Sequence, residues 1–111
     1  MPPGAQAEAE AVAFFAGVLG MDQAPKPEPL AARGGCWFRS GGVVVHLGVE
    51  DDFRAATKAH PAFVVHGVDE IAAALTAAGY EVRWSDELPG LRRFHTDDCF
   101  GNRIEIVDGE A

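Results

Sequence analysis

The strongest constraint on the fold is an internal repeat with a spacing of 59 residues. Gly79 follows Gly20 by 59 residues, and each glycine is placed to end a segment with helical periodicity, Gly20 as a left-handed cap. Glu105 follows His46 by the same 59 residues, and each lies between two apolar residues in a strand-like segment. The sequence therefore predicts two copies of one structural unit, each with a polar side chain at the same point of its last strand.

The elements of the two halves follow from their apolar patterns and turn residues. The first half predicts a helix over Gln6–Leu19, an extended connection over Met21–Ala32, and strands over Gly34–Ser40 and Val43–Val49. The second half predicts a strand over His60–His66, a helix capped by Asp69, a strand over Tyr80–Ser85, and a closing hairpin over Arg92–Asp108.

This order predicts an α+β protein of two βαβββ modules that form an open, cleft-containing mixed sheet. The first module lacks its opening strand, because no residues precede the helix to form one. We expect one domain over residues 1–111, with module one at about 1–50, a linker at 51–59, and module two at about 60–108.

The closing hairpin contains the most informative residue. Its predicted turn is Asp98–Asn102, and in the returning strand Glu105 points away from Ile104 and Ile106. A carboxylate in the centre of an apolar strand costs free energy unless a cation lies beside it. That cation is either a metal ion or an arginine side chain, for which residues 83, 92, 93 and 103 are candidates.

Packing of the two units would bring His46 and Glu105 together, and His60 heads the strand that joins the halves. Two imidazoles and a carboxylate suit a divalent transition metal (Zn, Ni, Fe, Mn or Co) better than Ca or Mg. The alternatives are a hydrogen-bonded histidine at position 46 and a loop histidine at position 60. We interpret His66 and His95 as surface residues or as neighbours of the site.

Composition excludes several classes of protein. The formal net charge of −8 argues against nucleic acid or an anionic membrane as a partner. The sequence has no apolar run long enough for a transmembrane helix and no signal peptide at its N-terminus. Its two cysteines do not form a disulfide framework, so we expect a cytoplasmic protein with free thiols.

Two motifs carry a resemblance to a known family. The helix end FFAGVLGM and the closing hairpin DDCFGNRIEIV, set in paired βαβββ modules, resemble the vicinal oxygen chelate superfamily of glyoxalase I, extradiol dioxygenases and bleomycin-resistance proteins. The resemblance implies metal ligands at His46, His60 and Glu105, and a fourth ligand on a strand before Met1. We therefore expect an opening strand upstream of Met1. Cys99 stands where the family commonly has proline, and we expect Gly101 and Asn102 to supply the unusual backbone angles of the turn.

The resemblance also implies a function. It is a glyoxalase-like, metal-dependent lyase or isomerase that acts on a small oxygenated substrate, with Glu105 or a bound water moving protons. The alternative is a non-catalytic protein of the bleomycin-resistance type that binds a small molecule or drug. In both cases the expected partners are a small molecule and a second copy of the chain in a homodimer.

Overall fold

The computed structural model describes residues 1–109 and divides into two compact units, Met1–Arg54 and a second that begins at Ala55. Each unit contains helical segments and one open sheet, which confirms the predicted α+β class. None of the helices in the described part of the chain has the length and apolar character that a membrane crossing requires.

The first unit begins with helix α1 (Ala5–Ala11), which continues as a π-helix over Val12–Val18. Strands β1 (Asp22–Ala24), β2 (Cys36–Ser40) and β3 (Val43–Leu47) form an antiparallel sheet in that order, and a 3-10 helix over Leu30–Arg33 lies between β1 and β2.

Aromatic residues form the core of the first unit. In the π-helix the Leu19 N–H donates to the Phe14 carbonyl at 3.0 Å, five residues earlier. Both Phe14 and Phe15 are buried, and the Phe15 ring stacks on Phe38 of β2 with centroids 5.2 Å apart. Gly20 ends the helix at φ +75°, which confirms its predicted role as a left-handed cap.

The second unit contains strand β4 (Ala62–Val65), helix α2 (Val68–Ala77), and strands β5 (Arg83–Ser85), β6 (Arg93–Asp97) and β7 (Arg103–Asp108). The sheet order is β4-β7-β6-β5, with β4 parallel to β7 and the other pairs antiparallel. Its core consists of buried residues from α2, β6 and β7, namely Leu75, Phe94, Ile104 and Ile106.

The strand orders reproduce the predicted repeat. Strands β1, β2 and β3 are adjacent in the first sheet as β5, β6 and β7 are in the second, and β4 has no counterpart strand in residues 1–109. The Glu50 N–H donates to the Met1 carbonyl at 2.9 Å, as the Gly109 N–H donates to the Val65 carbonyl at 2.9 Å. Met1 therefore takes the place in the first unit that the end of β4 takes in the second.

Two local predictions were wrong. The connection over Met21–Ala32 is extended only in part: it contains strand β1, but its last residues belong to the 3-10 helix over Leu30–Arg33. Asp69 does not cap α2: the helix starts at Val68, after Gly67 at φ +76°. The Asp69 carboxylate instead accepts a hydrogen bond from Arg92 at 2.8 Å.

Candidate metal centre

The turn between β6 and β7 fixes the register that places Glu105. Both carboxylate oxygens of the buried Asp98 are used: Oδ1 accepts from the backbone N–H groups of Phe100 and Asn102 at 2.8 and 2.9 Å, and Oδ2 accepts from the Asn102 side chain at 3.0 Å. Gly101 has φ +83°, as expected, whereas Asn102 stabilises the turn through its side chain and not through an unusual backbone angle.

Backbone hydrogen bonds hold the segment before β4, residues 56–61, against β7. The Arg103 N–H donates to the Ala56 carbonyl at 2.8 Å, and the Glu105 N–H donates to the Pro61 carbonyl at 3.0 Å. Because His60 directly precedes Pro61, these two backbone bonds bring its ring to the Glu105 side chain.

Three side chains converge there. The Nε2 atom of His60 lies 3.0 Å from Oε1 of Glu105, and the Nε2 atom of His95 lies 3.3 Å from the same oxygen. One ligand atom from each of the three residues lies within 4.8 Å of the others. His60 and Glu105 were predicted ligands. His95 was interpreted as a surface or neighbouring residue, but its side chain is only 12% exposed and belongs to the cluster.

The second oxygen of Glu105 has an arginine partner, since Nη1 of Arg93 donates to Oε2 at 3.2 Å. The alternative interpretation of Glu105 as half of an ion pair is therefore correct for one oxygen, while the other faces the two imidazoles. Burial raises the pKa of Glu105, but the hydrogen bonds from His60 and Arg93 outweigh it and leave the pKa below its ordinary value. The carboxylate is therefore ionised at neutral pH.

The tautomer of His60 makes this cluster suited to a cation. Its Nδ1 lies 2.8 Å from the Lys58 carbonyl, which can only accept, so Nδ1 carries a hydrogen and donates. If Nε2 also carries a hydrogen, it donates to Glu105; if it does not, its lone pair faces the ionised Glu105 oxygen. Two acceptors 3.0 Å apart are stabilised by a cation between them, which is either a proton or a metal ion.

The pKa of His95 lies below its ordinary value, chiefly because of burial and secondly because of the Arg103 charge. Its imidazole is therefore neutral near pH 7 and retains a lone pair for a metal. The cluster thus offers one carboxylate and two imidazoles, the donor set that divalent transition metals prefer.

The spacing of the donor atoms also fits a metal. A tetrahedral metal at about 2.0–2.1 Å from each ligand places the ligand atoms roughly 3.3 Å apart. The two nitrogen–oxygen distances of the cluster, 3.0 and 3.3 Å, are close to that value. The three residues could therefore hold such an ion with small side-chain movements.

His46, the remaining predicted ligand, lies on β3 of the first unit. Its ring stacks on Trp37, the residue opposite it on β2, with centroids 3.7 Å apart and an interplanar angle of 7°. This pair stands at the same place in the first hairpin as His95 and Glu105 in the second. A ligand role for His46 stays a prediction.

A cavity of about 510 Å³ opens in front of the cluster. His60, His95 and Glu105 lie in its wall, and Trp84 contributes the aromatic surface. A space of this size accepts a small organic molecule beside the cluster.

Comparisons with known proteins identify the family of the chain. The sequence matches no protein-family model and none of the curated proteins. Its structure is similar to that of a glyoxalase family protein from Bacillus anthracis, with 45% identity, a TM-score of 0.91, and coverage of 97% of this chain and 87% of that chain.

More distant structures share the fold. Lactoylglutathione lyase from Agrobacterium tumefaciens has 18% identity and a TM-score of 0.71, with 93% of this chain and 86% of that chain covered. The fosfomycin resistance protein FosX from Listeria monocytogenes has 19% identity and a TM-score of 0.72, with 91% and 83% covered. On the similarity to the Bacillus protein, the chain belongs to the glyoxalase family of the vicinal oxygen chelate superfamily.

Proposed function

We propose that the protein is a metal-dependent enzyme, a lyase or isomerase, that acts on a small oxygenated molecule in the cavity of the second unit. His60, Glu105 and His95 hold the metal in this proposal. The observation that supports it most strongly is the convergence of two imidazoles and one carboxylate in the wall of the cavity, with one ligand atom of each residue within 4.8 Å of the others.

A divalent metal held there supplies Lewis-acid polarisation of a substrate oxygen, or lowers the pKa of a bound water. The protein's own residues orient the site. The Lys58 carbonyl fixes the His60 ring, and Arg93 holds the carboxylate of Glu105 through Oε2. Partners of this kind, one bond removed from the metal, set ligand orientation and affinity in metalloproteins.

Glu105 was also assigned a proton-transfer role. Its lowered pKa keeps it ionised and makes it a weaker base, so the ligand role is favoured over the role of a general base. Proton transfer would then be left to a water molecule in the cavity.

Similar proteins suggest the kind of chemistry. One structure of FosX, an E126Q mutant with 20% identity, is a complex with Mn(II) and 1S,2S-dihydroxypropylphosphonic acid, and another similar structure is a lactoylglutathione lyase. From these two proteins we infer for this chain only that it uses a divalent metal with a small oxygenated ligand. Homodimer formation and a ligand contribution from His46 are further parts of the proposal.

Metal binding tests the proposal directly. The protein is stripped with a chelator, and zinc, manganese and cobalt are titrated into it by calorimetry. We expect one ion per chain for at least one of these metals. His60→Ala and Glu105→Ala should each weaken binding by about 100-fold or more, because each removes a ligand, and His95→Ala should weaken it by about 10-fold or more.

The matched control is His66→Ala, a histidine of the same unit that lies outside the cluster. It should change the affinity by less than about twofold. Absence of stoichiometric metal in the wild type would contradict the proposal and favour the non-catalytic binding protein. If His46→Ala also weakens binding, the first unit contributes a ligand as the sequence predicted.

A further inference from the structure

The cavity in front of the metal cluster collects the positive charge of its unit. The second unit contains five lysine and arginine residues, and four of them line the cavity: Lys58, Arg83, Arg93 and Arg103. The fifth, Arg92, does not line it and pairs with Asp69 at 2.8 Å. Three carboxylates, Asp86, Glu87 and Glu105, line the same cavity, so its four cations exceed its carboxylates by one.

Two of the four cations are already neutralised by carboxylates. Arg83 pairs with Asp97 at 3.0 Å and with Glu81 at 3.4 Å. Arg93 pairs with Glu105 at 3.2 Å and, more loosely, with an exposed glutamate at position 87 at 3.7 Å. These pairs hold the wall of the cavity and leave little attraction for a ligand.

The other two cations, Lys58 and Arg103, have no carboxylate within ion-pair distance among residues 1–109. Both flank the metal ligands. Arg103 lies two residues before Glu105, on the same face of β7. Lys58 lies two residues before His60, in the segment that is hydrogen-bonded to β7.

Backbone bonds bring the two cations to the same end of the cavity. The Arg103 N–H donates to the Ala56 carbonyl at 2.8 Å, so the residues just before Lys58 lie against the start of β7. A guanidinium group binds an oxyanion through two parallel N–H donors, and an ammonium group adds a compact charge.

We infer that the molecule acted on carries an oxyanion, a carboxylate or a phospho group, which Lys58 and Arg103 bind beside the metal cluster. This inference rests on the proposed function, and it assigns separate roles to neighbouring residues. His60, His95 and Glu105 hold the metal, whereas Lys58 and Arg103 select an anionic substrate and orient it by its charged end.

The test is an NMR titration of the ¹⁵N-labelled full chain, both as purified and after removal of metal by chelation. Inorganic phosphate and acetate are the probes, and sodium chloride at equal ionic strength is the control. We expect saturable shifts of the amide signals of residues 56–60 and 103–105 with at least one probe, and none with chloride.

Substitutions then identify the residues that bind the anion. Arg103→Gln and Lys58→Gln should each weaken the apparent affinity by about tenfold, the loss expected for a charge-assisted hydrogen bond. The matched control is Arg92→Gln, an arginine of the same unit outside the cavity, which should change it by less than about twofold. Lys58 is exposed, so its variant tests the site even if Arg103→Gln does not fold.

The outcomes separate this inference from the metal proposal. Binding of phosphate alone identifies a phospho group, binding of acetate alone identifies a carboxylate, and binding of both supports the oxyanion site in general. No saturable shift, or an equal loss in Arg92→Gln, overturns the inference. If metal binds and neither anion does, only the anion site fails. If an anion binds and no metal does, only the metal proposal fails.

Discussion

The two hairpins of the molecule place different side chains in the same position. In the first unit Trp37 and His46 face each other across β2 and β3, and their rings stack at 3.7 Å. In the second unit His95 and Glu105 face each other across β6 and β7, and their polar atoms lie 3.3 Å apart. One backbone arrangement therefore supports an aromatic stack in one unit and a polar cluster in the other.

The difference shows what builds the cluster. A cross-strand pair provides only two groups, and the third comes from His60, which β4 brings alongside β7. In the first unit the corresponding edge of β3 is met by Met1, whose carbonyl accepts from Glu50 and whose ammonium group donates to the Gly48 carbonyl at 2.7 Å. The additional strand, more than the hairpin, distinguishes the two units.

The largest expected effect is a loss of stability in the hairpin that carries the cluster. Asp98→Ala removes three hydrogen bonds from a buried carboxylate, so we expect the free energy of unfolding to fall by about 3 kcal/mol. Urea denaturation followed by Trp84 fluorescence measures it.

The matched control for this prediction is the neighbouring Asp97→Ala, which removes an exposed ion pair with Arg83 and should cost less than about 1 kcal/mol. Equal losses in the two variants would mean that the Asp98 side chain does not hold the turn.

An intermediate effect is expected in the first hairpin. His46→Leu removes the aromatic partner of Trp37 and keeps an apolar side chain, so the free energy of unfolding should fall by about 1 kcal/mol. Thermal denaturation followed by Trp37 fluorescence, in a Trp84→Phe background, measures this loss. An equal loss in a Trp37→Leu background, which lacks the stack and is followed through Trp84, would contradict a stabilising contact between the two rings.

The smallest effect is a pH dependence of the second unit. The pKa of His95 is lowered on folding, so its contribution to stability is present above the ordinary value of 6.5 and is lost as the pH falls through the folded value. Glu105 also has a lowered pKa, and its contribution is present above 4.5 and is lost at more acidic pH. Stability should therefore decrease in two steps on acidification.

Urea denaturation at several pH values between 7 and 3, with Trp84 as the probe, measures this dependence. His95→Asn should remove the step below pH 6.5 and leave the acidic one, while Glu105→Gln should do the reverse. An unchanged profile in both variants would show that other groups control the acid sensitivity of this unit.

The position of His95 could have been predicted from the hairpin alone. If residues 98–102 form the turn, Asp97 faces Arg103, and His95 must then face Glu105. The predicted turn already implied this register, but His95 was interpreted only from the repeat, in which the residue 59 positions earlier is Cys36. The missing step was cross-strand pairing, which depends on turn length and not on periodicity.

Other features required the tertiary structure. The two oxygens of Glu105 have different partners, because Arg93 lies on one side and the histidines lie on the other. The tautomer of His60 depends on a carbonyl two residues away that only the path of the segment before β4 places at its Nδ1. Neither contact has a periodic signature, so a linear pattern does not reveal it.

The sequence by itself determined the repeat, the α+β class, the glycine caps and two of the three residues of the cluster. It did so because glycine conformation, strand alternation and apolar spacing are local properties of the chain. Only the tertiary structure decided that His95 completes the cluster, that Arg93 holds its carboxylate, and that Lys58 and Arg103 beside it have no carboxylate within ion-pair distance among residues 1–109. Those facts depend on distances between strands, which the order of residues does not specify.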